Sequence, residues 1–262
     1  MSEIVILERV LWGASVVLNV ALIFLILYRG NHRVYPFFCV YAVSTVLQNI
    51  AFFASYRIGG FYSLESIRVA WGTQALVTMA RALAVAEVCY RALASYRGIW
   101  GLASRLLLGV VALVSLYSWA ASGGGWRLAI LNLDRGLELA MASVICLLVV
   151  FARFYELSME SATRTLAIGL LLYSCFRVLN DTMWGRWLNH YTALWGLLGT
   201  FTFLVSLLLW TWALRVAGQP TIAEPQLLPE SHYRSLSPAI NARLRALNDQ
   251  LDQFWQPEAG KS

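Results

Sequence analysis

Three charged side chains inside one long apolar stretch are the residues most able to take part in binding or catalysis. Asp134, Arg135 and Glu138 fall within residues 131–148, which are otherwise largely apolar and long enough to form a helix. A charge in hydrocarbon is costly, so intramembrane ionisable residues pair with one another or line a functional site. Asp134 and Glu138 are four positions apart and share one helix face. Their carboxylates could accept protons, pair with arginines or contact a ligand.

Other charged or strongly polar side chains recur at comparable depths in the remaining apolar stretches. Counting about 1.5 Å of rise per residue from the ends of each stretch places them in two layers. The outer layer holds Asp134, Arg135, Arg177, Asn180 and Asp181, and the middle layer holds Glu138, Arg81, Gln48, Asn49 and Asn19. The three arginines of this set balance its three carboxylates in charge. The sequence therefore predicts an intramembrane polar centre where the third, fifth and sixth spans meet.

Two interpretations of the polar centre are open from the sequence. In one, the charged residues form interhelical ion pairs and hydrogen bonds that fix the register of the helices. In the other, they line a ligand pocket or an ion pathway. Catalysis is disfavoured because no phosphate-binding glycine loop, serine nucleophile motif or cysteine–histidine cluster accompanies the carboxylates. We therefore predict no catalytic residues.

The lysine and histidine content argues against several cofactors. Lys261 is the only lysine and lies in the C-terminal tail, so no span can form a retinal Schiff base. His32, His190 and His232 fall in connections or in the tail, which leaves no intramembrane histidine pair for haem and no set of zinc ligands. The four cysteines lie in apolar segments without metal-ligand spacing. We predict neither a cofactor nor a metal site.

The elements that must position the polar centre are long apolar helices. The chain has 262 residues, of which 59% are hydrophobic and 13% charged, and its mean hydropathy is +0.63. A soluble domain has about 25% charged residues. Apolar runs close to the roughly 20 residues that cross a bilayer recur along the chain. They predict seven spans, at residues 10–28, 34–56, 67–89, 105–121, 128–151, 166–184 and 191–214.

The predicted fold class is all-α, a polytopic membrane protein built as a seven-transmembrane-helix bundle with short connections. Its third span, 67–89, is the least hydrophobic of the seven. Arginines are more numerous in the connections after the first, third and fifth spans and in the tail, which predicts an outer N-terminus and a cytoplasmic C-terminus. The expected location is a bacterial inner membrane. Arginines placed between apolar spans favour membrane lipids, rather than nucleic acid, as partners.

The tail after the last span divides into a linker and a helix. Residues 217–237 include three prolines among polar residues and predict an irregular linker. Residues 238–255 begin with Pro238, a residue favoured at the first helical position, and predict a short cytoplasmic amphipathic helix. Its apolar stripe consists of Ile240, Leu244, Leu247, Leu251 and Phe254. Such a stripe favours docking on the bundle or the membrane, self-association, or binding to a cytoplasmic protein.

The function expected from these features is that of a receptor-like, sensory membrane protein. It would bind a small or lipidic ligand at the polar centre and signal through the tail. A proton- or ion-coupled transporter that uses the same carboxylates is the main alternative, although no matching pair of broken spans indicates an inverted repeat. A structural subunit of a larger membrane complex is a further alternative. We expect no enzymatic activity.

Overall fold

The computed structural model describes residues 2–59, 63–94, 97–123, 125–154, 159–184, 192–215 and 238–255. Within these ranges every regular element is helical. A short 3-10 helix at Asn31–Arg33 separates the first two α-helices. The α-helices are α1 (Ser2–Tyr28), α2 (Pro36–Gly59), α3 (Leu64–Leu93), α4 (Arg97–Ala121), α5 (Trp126–Phe154), α6 (Ser161–Trp184), α7 (Thr192–Leu214) and α8 (Pro238–Trp255).

Six of these helices contain segments that are long and apolar enough to cross a membrane. The chain is therefore an all-helical protein of the kind that is integral to a membrane, as its composition indicates. Each of the six segments overlaps one of the predicted spans, and α3 is the predicted span that is not among them. The segments are Val10–Tyr28, Pro36–Ser55, Ile99–Ala121, Leu128–Phe154, Ser161–Asn180 and Leu194–Leu214.

Helix α3 is the least apolar of the helices α1 to α7, and it exposes Leu76, Met79 and Leu83 on one face while other helices cover the rest. It packs against α2, α4, α5 and α6, whereas α4 packs mainly on α5 and α8 and is the most exposed of the apolar helices. A helix enclosed by protein can carry charged and polar side chains at membrane depth, because those side chains find partners on its neighbours. The polar residues of α3 are thus compatible with a central position in the bundle.

From α1 to α7, helices that are consecutive in the chain pack together, and α1 also packs against α7. Two of the helix contacts depend on glycine. A Cβ atom added at Gly136 of α5 would lie 2.6 Å from Cγ1 of Val114 of α4. A Cβ atom at Gly169 of α6 would collide with the indole of Trp210 of α7. Small residues let helix backbones approach closely, which is a common way of packing helices in membranes.

The connection between α1 and α2 ties one end of the bundle together. Gly30 has a φ of +72°, a left-handed conformation that favours glycine and turns the chain toward α2. Beyond it, the buried Asn31 amide donates a hydrogen bond of 2.8 Å to the carbonyl oxygen of Leu214, at the end of α7. The hydroxyl of Tyr35 lies 2.9 Å from that of Thr163, near the start of α6. This connection therefore joins the ends of α6 and α7.

Helix α8 packs against α4. Leu244 and Leu251 are half-buried, whereas the side chain of Leu247 is 49% exposed. The side chains of Ile240 and Phe254, and the predicted linker at 217–237, lie outside the described residues. The part of the apolar stripe that is described thus divides into a half-buried side and an exposed residue.

Candidate functional site

The site begins on one face of α3, where Gln74, Thr78 and Arg81 follow one another at helical spacing. This face meets α5, and two acidic residues of α5 lie opposite it. Asp134 contacts Gln74 and Thr78, and Glu138 contacts Arg81. The two helices run in the same direction here, since residue numbers rise together along both of them, and the pairs lie in successive layers about one helical turn apart.

Arg81 and Glu138 form the inner pair of the site. Nη2 of Arg81 contacts Oε1 of Glu138, and the side chains are 1% and 0% exposed. The Arg81 guanidinium also lies over the ring of Tyr173 of α6, 4.9 Å from its centroid. An ion pair so fully removed from solvent is costly to break, because removal of one partner leaves the other buried without compensation. The pair therefore links α3 firmly to α5.

Asp134 is the most heavily hydrogen-bonded acid among the described residues. The Thr78 hydroxyl donates to Oδ1, and Nε2 of Gln74 lies 3.3 Å from both carboxylate oxygens. Nη2 of Arg177 on α6 donates to Oδ2 at 2.8 Å. Asp134 thus connects α5 to both α3 and α6.

Arg177 joins the two acids. Besides its bond to Asp134, its Nε lies 3.6 Å from Oε1 of Glu138. Its side chain is 23% exposed, while the other members of the group are almost completely buried. We refer to Arg81, Asp134, Glu138 and Arg177 as the charge cluster. It contains two positive and two negative groups and is accessible at the Arg177 side.

The charge cluster is extended toward α2 by a hydrogen bond between two glutamines. Nε2 of Gln48 donates to Oε1 of Gln74 at 3.1 Å, and the amide of Gln74 in turn reaches Asp134. Both glutamines are half-buried. A side chain on α2 is therefore connected to the acid on α5 through α3, so that four helices share one polar network.

Several residues predicted for the polar centre have no described contact with the charge cluster. Arg135 points to the exposed side of α5. Oδ1 of Asn49 accepts a hydrogen bond from the indole of Trp12 at 3.1 Å, and its amide donates to the carbonyl oxygen of Thr45, so Asn49 faces α1. Asn180 is half-buried, and none of its described contacts is with the charge cluster. The helical spacing that groups these residues by depth does not determine which neighbour each one faces.

Two further predicted residues are Asn19 and Asp181, and no contact between either of them and the charge cluster is described. Asn19 of α1 is 1% exposed, and neither polar atom of its amide has a hydrogen-bond partner among the described residues. The side chain of Asp181 lies outside the described residues, so its expected pairing with Arg177 stays a prediction. In the described residues, the acids that contact Arg177 come from α5.

The sequence reasoning missed Gln74, Thr78 and Tyr173. Gln74 and Thr78 precede Arg81 on its own helix face at seven and three positions, a spacing that the sequence does contain. An uncharged residue gives little signal alone, but it is informative when it shares a face with an intramembrane arginine. Tyr173 could not be identified in this way, because its role depends on the packing of α6 over α3.

An aromatic layer borders the inner side of the charge cluster. The ring of Tyr173 contacts that of Phe203, with centroids 5.2 Å apart, and Phe203 contacts Trp210. Trp210 is buried and makes edge contacts with Phe38 and Tyr41, at centroid distances of 5.4 and 5.8 Å. These five rings come from α2, α6 and α7. They form a largely apolar layer next to Arg81.

The charge cluster is a network of ion pairs and hydrogen bonds between helices. No group of three or more histidine, cysteine or acidic side chains within the described ranges could hold a metal ion. Comparison of the chain with models of protein families, with curated proteins and with solved structures found no match.

Proposed function

We propose that this chain is a seven-helix membrane protein in which α3 crosses the bilayer as the seventh span. The packing of α3 supports this count, because its buried Arg81 contacts Glu138 of α5 rather than lipid. The arginine distribution supports an outer N-terminus and a cytoplasmic C-terminus, in a bacterial inner membrane. In this orientation the Asp134 layer lies toward the outer side, and α8 lies at the cytoplasmic side.

The proposed function is that of a receptor-like sensor that binds a small or lipidic ligand at the charge cluster. The observation that carries this proposal is the bridging position of Arg177, which bonds acids on α5 from α6 and is partly exposed. A ligand that contacts Arg177 would compete with the bonds that hold α6 to α5. Ligand binding would therefore change how two helices pack, which is the requirement for a signal.

A packing route connects the cluster to the tail. Gly136 lies between Asp134 and Glu138 in α5 and is in close contact with Val114 of α4. Helix α8 in turn packs on α4. Because Gly136 leaves no space at this contact, a shift of α5 that breaks the cluster would also displace α4. The proposed output is a change in the docking of α8, which would recruit or release a cytoplasmic partner.

The aromatic layer favours a sensor over a carrier. On the inner side of Arg81, α3 buries the apolar residues Ala84, Val85 and Val88, and its one buried acid there, Glu87, is bonded to the backbone N–H of Phe38. Trp210 fills the space between α2 and α6. The polar network is thus bounded on its inner side by tightly packed apolar groups, as expected for a binding site with one entrance. A transporter would need this aromatic layer to open so that its substrate could pass. A structural subunit of a larger complex would need no ligand at the charge cluster.

Purified full-length protein provides a test of the sensor proposal. Thermal unfolding in mild detergent, followed by tryptophan fluorescence, identifies compounds that stabilise the protein. Spin labels at Ser115→Cys on α4 and Ala246→Cys on α8, in a background with Cys39, Cys146 and Cys175 replaced by alanine, then report the distance between the two helices. A stabilising compound should change this distance in nanodiscs and should not be transported into proteoliposomes.

Two results would contradict the proposal. Transport of the stabilising compound across the proteoliposome membrane would identify a carrier. An unchanged distance between α4 and α8, both with every stabilising compound and in the Asp134→Asn variant, would show that the tail does not respond to the cluster.

A further inference from the structure

Arg177, the accessible member of the charge cluster, is a cation, and this indicates which charge a ligand of the cluster would carry. Arg177 is 23% exposed, while Arg81 is sealed between Glu138 and the ring of Tyr173. A molecule that approaches from the open side therefore meets a guanidinium group first. The inference drawn from this feature rests on the proposed function, because it concerns the ligand of the same site.

The network is arranged so that both acids keep a partner if Arg177 withdraws. Asp134 would retain the Thr78 hydroxyl and the Gln74 amide, and Glu138 would retain Arg81. Breaking a buried ion pair is prohibitive mainly when it leaves a charge without hydrogen bonds. The donors on α3 supply those hydrogen bonds to Asp134. Arg177 is thus the member of the cluster that can exchange its partner.

We propose that the ligand of this site carries an anionic head group, a carboxylate or a phosphate, which Arg177 binds in place of Asp134. The planar guanidinium matches such groups with two parallel hydrogen bonds, and these are among the strongest polar contacts in proteins. In the free protein Asp134 occupies this position as an internal carboxylate. The ligand therefore substitutes one carboxylate-like partner for another and frees α6 from α5.

A cationic ligand fits the same geometry less well. It would have to displace the Arg177 guanidinium from Asp134 and Glu138, and that guanidinium is attached to the neighbouring helix. A tethered group has a high effective concentration at its own site, so a free cation competes at a disadvantage. An anion can bind the accessible guanidinium of Arg177 directly. Its competitor is Asp134, which keeps two hydrogen-bond donors when Arg177 leaves it.

Binding of anionic and cationic probes to the full-length protein tests the proposal. The probes are decanoate and decyl phosphate, decyltrimethylammonium as the cationic counterpart, and butyrate and inorganic phosphate as short anions. Binding is measured by native mass spectrometry and by thermal shift in nanodiscs of zwitterionic lipid. Saturable binding of the decyl anions alone identifies a lipidic ligand, and binding of the short anions as well identifies a small soluble anion.

Three substitutions assign the binding to Arg177. Arg177→Met should weaken anion binding by about tenfold or more, since it removes a charge-assisted contact. Asp134→Asn should tighten binding several-fold, because it weakens the internal competitor. Arg135→Met is the matched control, since it removes a neighbouring exposed arginine outside the cluster, and it should leave binding unchanged. Arg177→Lys, which keeps the charge, should fold and bind with intermediate affinity, and it guards against a folding defect in Arg177→Met.

The outcomes separate this inference from the proposed function. Equal losses in Arg177→Met and Arg135→Met, or preferential binding of decyltrimethylammonium, would overturn the anion proposal. If neutral or cationic compounds stabilise the protein and move α8 while anions do neither, the ligand class is wrong and the sensor proposal stands. If anions bind through Arg177 while the distance between α4 and α8 stays constant, the ligand class is right and the sensor proposal fails.

Discussion

The carboxylate of Glu87 on α3 accepts a hydrogen bond of 2.9 Å from the backbone N–H of Phe38, in the first turn of α2. The first N–H groups of a helix have no partner within the helix, so an acid from a neighbouring helix can cap them and also interact with the helix dipole. Arg91 lies one turn further along α3, at a spacing that also permits an ion pair with Glu87. In the structure the Arg91 guanidinium lies over the ring of Tyr35, 4.5 Å from its centroid.

We predict that Glu87→Ala lowers the free energy of unfolding by about 1–3 kcal/mol, because it removes a buried acceptor from the Phe38 N–H. Glu87→Gln keeps an acceptor oxygen and should cost less. Thermal and denaturant unfolding in detergent measure both changes. If Arg91→Met destabilises the protein as much as Glu87→Ala, the main role of Glu87 is pairing with Arg91, and the capping account is wrong.

The second prediction concerns the inner ion pair. Arg81→Met and Glu138→Leu should each cost about 3–5 kcal/mol, since each leaves one buried charge without its partner. The double mutant removes both charges and should recover much of that loss. Unfolding of the four proteins in detergent gives the coupling energy. Single mutants as stable as the unmodified chain would show that water already solvates Arg81 and Glu138.

A parallel cycle with Arg177→Met and Asp134→Leu distinguishes the two sides of the cluster. Arg177 is partly exposed, so its single substitution should destabilise the protein less than Arg81→Met does. A larger loss in Arg177→Met than in Arg81→Met would contradict the account of Arg177 as the exchangeable member.

The sequence contains enough information to identify the apolar helices and the four members of the charge cluster. Length and hydropathy define the apolar helices, and the cost of a buried charge identifies Arg81, Asp134, Glu138 and Arg177 as residues that need partners. The sequence does not show which of these residues contact each other, because those contacts depend on how each helix is rotated about its axis. A helix face can be read from spacing, but the neighbour that it meets cannot.

Asn49 and Arg135 illustrate this limit. Each lies beside a residue of the polar network in sequence, Gln48 and Asp134 respectively, yet successive helical residues point about 100° apart. Asn49 consequently faces Trp12 on α1, and Arg135 is exposed. Depth in the membrane changes by only about 1.5 Å between such neighbours, so depth alone groups residues that do not meet.

The third prediction tests the close contact between α4 and α5. Gly136→Ala should destabilise the bundle by about 1–3 kcal/mol, because the new Cβ would lie 2.6 Å from Cγ1 of Val114. Adding Val114→Ala should restore stability by removing the obstructing methyl groups. Gly109→Ala on α4 is the matched control, since open space surrounds that position and alanine favours a helix. Equal effects of Gly136→Ala and Gly109→Ala would exclude a steric contact at Gly136.

The fourth prediction concerns the number of spans and their orientation. Alkaline phosphatase inserted after residue 61 and after residue 95 should report opposite sides of the membrane, because α3 lies between the two positions. A reporter joined to Met1 should lie outside, and one joined to Ser262 should lie in the cytoplasm. If the insertions on either side of α3 report the same side, α3 does not cross, and the seven-span proposal is wrong.

The final prediction concerns α8 and separates docking on α4 from binding to an external partner. Leu251 is half-buried and α8 packs on α4, so Leu251→Asp should release α8 by placing a charge in that contact. Leu247 lies on the same helix but is 49% exposed, so Leu247→Asp should leave the docking intact. The two variants carry the same change in charge and helix propensity, which makes each the control for the other.

Spin labels on α4 and α8 measure the release directly. Leu251→Asp should lengthen and broaden the distance distribution, while Leu247→Asp should preserve it. An exposed apolar residue on an amphipathic helix is available to another molecule, so Leu247→Asp should instead weaken self-association or the recovery of a cytoplasmic partner. If Leu247→Asp undocks α8 and Leu251→Asp does not, the opposite face of the helix contacts α4. If neither substitution changes docking, self-association or partner recovery, the apolar stripe holds no interaction.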